Sequence, residues 1–181
     1  MKVETFQYDI HQLQHLGTGE EQRLFEIWDS GRQMDHRLFN FASDVVIFGA
    51  PIDDTLPPEL HVGEQSMAAR FFGKDWRKSF KKEVATPQPI TSAYESAYDG
   101  EPVHDYVVVE KGPIICTYDR LILPFKEGKH GAPMLVTLST LVRLESATRL
   151  SAIPQIPGDP KALVSNPVLL GRDASPNLSH R

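Results

Sequence analysis

An α+β fold, with helices gathered ahead of an antiparallel meander, is what this sequence predicts. Three observations carry it. From Val103 to Leu144 the chain shows three strand-like runs, separated by the turn signals Lys111-Gly112-Pro113 and the polar stretch 126–131. Ahead of them lie helical segments with caps, the clearest opening at Thr18. The chain has 181 residues, 40% of them hydrophobic, enough for one domain to bury a core without staples.

Composition excludes several classes. A net charge of −5 offers nothing to nucleic acid or an anionic membrane. One cysteine, Cys116, allows neither an internal disulfide nor a cysteine-rich zinc site. Met1 to Ile10 mixes Lys2, Glu4, Gln7 and Asp9 with apolar residues, unlike a signal peptide, and no apolar run reaches the ~20 residues of a spanning helix. The expected compartment is the cytoplasm.

Residues 1–42 read as an N-terminal segment. Phe6, Tyr8, Ile10 and Leu13 suit either a short strand or a covering layer. Thr18 and Glu21 form a capping box, Glu20 and Glu21 suit the positive helix end, and Leu24, Ile27 and Trp28 make one stripe with Phe25 beside it. Gly31 is the expected stop, giving a helix over 18–31. This helix packs on its own domain or forms a dimer contact through Phe25 and Trp28.

Residues 32–44 connect to Val45-Val46-Ile47-Phe48, a buried strand. Pro57 and Pro58 open a shorter one, 59–62, which Gly63 ends. Ser66 caps a helical turn over 67–72, and Asp75 caps another over 76–83. In the latter, Arg77, Lys78, Lys81 and Lys82 read as a solvated basic face. Ile90, Ala93, Tyr94, Ala97 and Tyr98 recur at helical spacing, and Asp99-Gly100 ends that helix. In the last strand Met134, Val136, Leu138, Val142 and Leu144 are expected on one face, with Thr137, Ser139 and Arg143 pointing away. Residues 148–181 form a Pro-rich tail with two short apolar pieces, 162–164 and 168–170.

In this order of elements the chain resembles a PAS domain over 43–147. Gly63 to Trp76 matches that family's two short helices, Gln88 to Asp99 its pocket helix, and Gly100-Glu101-Pro102 the turn into its third strand. Trp28-Asp29-Ser30-Gly31-Arg32, followed later by Tyr118-Asp119-Arg120-Leu121-Ile122-Leu123-Pro124, is similar to stand-alone bacterial PAS proteins. The resemblance implies a five-stranded antiparallel sheet with helices cradling a pocket on one face. It also implies a cytoplasmic sensor or regulator rather than an enzyme. The chain carries no output module, so its partner is expected to be another protein, such as a signalling kinase, or a second copy.

The cofactor is unknown. Photoactive flavin members need a cysteine on the helical side of the pocket, whereas Cys116 lies in a predicted strand. Haem members place a histidine on the pocket helix, where this chain has Tyr94 and Tyr98. Both cofactors are disfavoured. His11 and His15 share an i, i+4 spacing but lack a third ligand and read as a surface pair, so no metal site is expected. Two, four and six places before Pro124, the positions that the resemblance turns toward the pocket, stand Ile122, Arg120 and Tyr118. With Tyr94 and Tyr98 these are the ligand-binding candidates. An inward arginine must be paired. Either Glu95 or Asp105 bridges it internally, or it grips a ligand carboxylate or phosphate; a parity error would turn it to solvent. Two other readings compete. One is a cone-type α+β isomerase or dehydratase using Asp105, Tyr106, Tyr118 and His104. The other is a ligand-free scaffold whose own side chains fill the pocket.

Overall fold

The computed structural model describes residues 2–50, 57–72, 88–126 and 133–146. The expected helix over 76–83 with its basic cluster, the loop after Lys126 and the tail from 148 lie outside the described residues.

Strand β1 (Lys2–Gln7) leads through a short 3-10 turn (Ile10–Gln12) and α1 (Leu13–Leu16) into α2 (Gly19–Asp29). The capping box forms: Thr18 N–H donates to Glu21 Oε2 at 2.7 Å, and Glu21 N–H donates to Thr18 Oγ1 at 3.2 Å. A 3-10 segment (His36–Phe41) precedes β2 (Val45–Phe48), β3 (Glu59–Val62) and α3 (Met67–Phe72). Ser66 Oγ accepts from Ala69 N–H at 3.2 Å as the cap of α3. Helix α4 (Gln88–Tyr98) ends at Gly100, whose φ of +100° is the left-handed conformation that glycine adopts without strain. Strands β4 (Val103–Lys111), β5 (Ile114–Lys126) and β6 (Pro133–Ser146) complete the described residues. Gly112, φ +56°, and Pro113 make the two-residue turn between β4 and β5.

The six strands form one antiparallel sheet in the order β1-β4-β5-β6-β2-β3. The expected five strands are β2 to β6. The sixth is β1, which pairs with β4 along its whole length, so the N-terminal segment is part of the sheet. An edge strand carrying Lys2, Glu4 and Gln7 lacks the apolar run that marks a buried strand, and its alternation alone left strand and covering layer indistinguishable.

Each sheet face has its own core. Leu24 and Trp28 of α2 pack with Leu13, Leu38 and Phe41 over Leu121, Leu123, Phe125, Val136 and Leu138. On the opposite face Ala93 and Ala97 of α4 pack over Val46, Phe48, Val103, Ile122 and Leu135, while Met67 of α3 meets Val107 and Tyr118. The end of α2 is pinned to β5, because Trp28 Nε1 donates to Pro124 O at 2.7 Å. Just beyond, Lys126 N–H donates to Arg32 O at 2.9 Å and Met34 N–H to Lys126 O at 3.2 Å. Arg32, not Gly31, takes the left-handed conformation, φ 55°, and its guanidinium stands 4.5 Å from the Trp28 ring.

Helix α2 packs on its own domain, the first of its two expected roles: Trp28 is 2% exposed and half-buried Phe25 sits on the same core. The face assignment of β6 changes. A register shift places Leu141 opposite Tyr118 and Arg143 opposite Thr117, leaving Val142 as the extra residue. Val136 and Leu138 therefore lie on the α2 face, but Leu144, opposite Cys116, lies on the α4 face.

Candidate functional site

The polar centre of the α4 face is built from adjacent strands. Asp105 of β4 and Arg120 of β5 are cross-strand partners. Arg120 Nε donates to Asp105 Oδ1 at 2.9 Å and Nη2 to Oδ2 at 2.5 Å, and each residue is 2% exposed. This is a bidentate fork closed inside the domain. Burial opposes the guanidinium charge, but the hydrogen bond and charge of Asp105 hold the Arg120 pKa above its usual range.

Helix α4 lays Tyr94 over this pair and carries Tyr98 one turn on. The Tyr94 ring lies 5.4 Å from the Arg120 guanidinium and 5.2 Å from the Phe48 ring, edge on. Burial pushes the Tyr94 phenol up, with Arg120 and the neighbouring Thr137 hydroxyl pulling the other way. Tyr98 Oη donates to Gly49 O at 2.5 Å, tying α4 to the end of β2. Burial likewise raises the Tyr118 phenol. The interior beneath α4 thus offers neutral phenols and hydroxyls around a charge pair that is already satisfied.

A second polar group lies on the α2 face. His104, next to Asp105 in sequence, points to the other side of the sheet, and both its ring nitrogens are buried without a hydrogen-bond partner. Tyr8 packs on it, ring centroids 5.0 Å apart, and donates its backbone N–H to His104 O at 2.8 Å. Glu21 is 1% exposed; its Oε2 serves the cap while its Oε1 is buried without a partner. Burial lowers the His104 pKa, with the charges of Glu21 and Asp105 opposing. Burial, then Glu21 and Asp105, push the Asp119 carboxyl up to about 6.

The five ligand-binding candidates share one side of the sheet. Tyr118, Arg120 and Ile122 stand on the α4 face of β5, and Tyr94 and Tyr98 belong to the helix that covers it. Of the two carboxylates considered for Arg120, Asp105 holds it and Glu95 is exposed. The four residues of the cone-type reading divide between faces: Asp105 and Tyr118 on one, His104 and Tyr106 on the other. Cys116 is half-buried on the α4 face, its thiol raised by burial. His11 and His15 are exposed, and among the described residues no three His, Cys, Asp or Glu side chains are placed to hold a metal.

The α2-face group was missed as a unit. Asp119 alternates with Leu121 and Leu123, which put it beneath the covering helix, but Glu21 reads as a solvent-facing cap until the tertiary structure buries it.

No family model, curated protein or solved structure matches this chain. The functional reading therefore stands on the fold and on the residues just described. Among the described residues, no helix is long and apolar enough to cross a membrane.

Proposed function

We propose that this chain is a cytoplasmic sensory or regulatory protein of the PAS kind, acting through a protein partner such as a signalling kinase. One observation carries the reading. Strands β2 to β6 make one antiparallel sheet, and α3 and α4, both in the connection between the second and third of these strands, pack on a single face of it. That is the arrangement the resemblance leads one to expect. The ligand-facing positions are Tyr94, Tyr98, Tyr118, Arg120 and Ile122. Asp105 already fills the Arg120 fork, so an anionic ligand would have to displace it, at the cost of leaving a buried carboxylate unpaired. A neutral molecule with an apolar body and one or two polar atoms suits the phenols and hydroxyls better.

Native mass spectrometry of the gently purified full chain tests the ligand. The expected result is an adduct that is lost in Ile122→Trp, which adds bulk beneath α4. A bare-chain mass in both proteins would remove the ligand and leave a scaffold that works only through its partner. Recovery of a chemically altered molecule after incubation would favour the isomerase or dehydratase reading.

A further inference from the structure

Strand β6 outruns its neighbour. β2 pairs with it only from Leu135 to Leu138, whereas β5 stays paired along its entire length. From Ser139 to Glu145 the edge of β6 away from β5 has no strand beside it among the described residues. The side chains there are apolar and open: Leu141, Val142 and Leu144 are 40%, 52% and 50% exposed, and Ile114 beside them is 48% exposed. An unpaired backbone edge flanked by exposed apolar side chains is a template for another strand.

The other two sheet edges each expose one large apolar residue, Phe6 on β1 and Leu60 on β3, and each carries a safeguard. β1 presents the exposed Lys2–Glu4 ion pair, 2.7 Å long. β3 is four residues long and follows Pro57 and Pro58. The β6 edge carries only two charges of its own, Arg143 and Glu145. They stand two residues apart on the same face, joined by a 2.5 Å ion pair.

That pattern is self-complementary. When a strand pairs antiparallel with its own copy, a twofold axis sits at one residue, and positions equally far from it on either side face each other. An axis at Leu144 sets Arg143 opposite Glu145 of the second copy, twice, with Leu144 against Leu144 between them. An axis at Arg143 or at Glu145 would set like charges directly opposite, which is destabilising. An axis between Arg143 and Leu144 would pair residues whose side chains point to opposite faces, which an antiparallel ladder does not allow. Only the Leu144 register sets Arg143 against Glu145, and it places Leu144 against its own copy with Val142 facing Ser146.

We propose that β6 is a homodimerisation edge, two copies pairing antiparallel about Leu144 to join two six-stranded sheets into one. Leu144 gains cover from its own copy at this junction, and Arg143 and Glu145 keep opposite-charge neighbours. The contact lies away from Phe25 and Trp28, and it stands whether or not the α4 face holds a ligand.

Sedimentation of the full chain across a concentration series tests it, with circular dichroism confirming that each variant is folded. Wild type is expected to show reversible monomer–dimer exchange. R143E and E145R each place like charges at both cross-strand positions and should weaken the dimer about tenfold. The double variant R143E/E145R should recover wild-type association. An equimolar mixture of the two single variants should associate as a heterodimer. A wild type that stays monomeric throughout, or a dimer indifferent to the single variants, overturns the proposal. So does a folded double variant that fails to recover.

Discussion

At the scale of single residues, two charged groups set the balance in the sheet. Arg120 and Asp105 are both desolvated, so deleting one leaves the other as an uncompensated buried charge. Arg120→Ala is expected to cost about 3–5 kcal/mol. Arg143→Ala breaks only an exposed pair and should stay within about 0.5 kcal/mol at a dilution where the chain is monomeric. Urea unfolding of the two variants side by side checks the contrast, and equal midpoints would refute it. Asp119 is a pH-dependent case. Its carboxyl is raised from 3.8 to about 6 in the folded chain. Between those values the folded chain holds a proton that the unfolded chain has released, so this group's contribution is present at acid pH and lost as pH rises through about 6. Asp119→Asn removes the slope, and the variant should gain on wild type from pH 4 to pH 7.5. His104 acts in the opposite sense: its lowered pKa gives a contribution that is present above 6.5 and lost as pH falls below it. Since His104 remains in both proteins, comparing their urea midpoints at the two pH values isolates the Asp119 term.

At the scale of elements, the junction of α2 with β5 shows how a strand proline is accommodated. β4 begins opposite Ile122, so Pro124 lies beyond the start of that strand, where its missing N–H breaks no ladder bond with it. Its carbonyl is taken by the Trp28 indole. Trp28→Phe keeps an aromatic ring but orphans this carbonyl, an expected loss of about 1–3 kcal/mol. Far-UV circular dichroism in urea measures it, and a variant as stable as wild type would mean that water satisfies Pro124. The same strand explains what could be read in advance. A period of two counted back from Pro124 needs no tertiary information, and it places Tyr118, Arg120 and Ile122 on one face and Asp119, Leu121 and Leu123 on the other. The count fails in β6, because the bulge at Val142 has no glycine or proline beside it to mark it. Strand β1 was ambiguous for a related reason: an edge strand has partners on one side only, and its residues need not be apolar. The burial of Glu21 depends on how α2 sits against the sheet, which local spacing does not encode.

At the scale of the whole molecule, β5 couples the two cores. Tyr118 and Ile122 enter the cores beneath α3 and α4, while Leu121, Leu123 and Phe125 enter the one beneath α2. Any change of twist in this strand is felt on both faces. It could still be argued that α2 and its flanking turn peel away as a lid while the rest stays folded. Magnitudes argue against that. Leu13, Leu24 and Trp28 are nearly fully buried on this side alone. At about 1.5–3 kcal/mol each, exposing them costs roughly 5–9 kcal/mol. That is comparable with the whole stability of an ordinary domain, about 5–15 kcal/mol. The α2 face should therefore unfold together with the sheet. Replacing Trp76 by Phe leaves Trp28 as the only tryptophan, a fluorescent reporter of the α2 core. In that variant the urea transition of Trp28 fluorescence and that of far-UV circular dichroism should coincide. A fluorescence transition that runs ahead of the dichroism would mean that α2 leaves first, and the strand they share would then not bind the two cores into one cooperative unit.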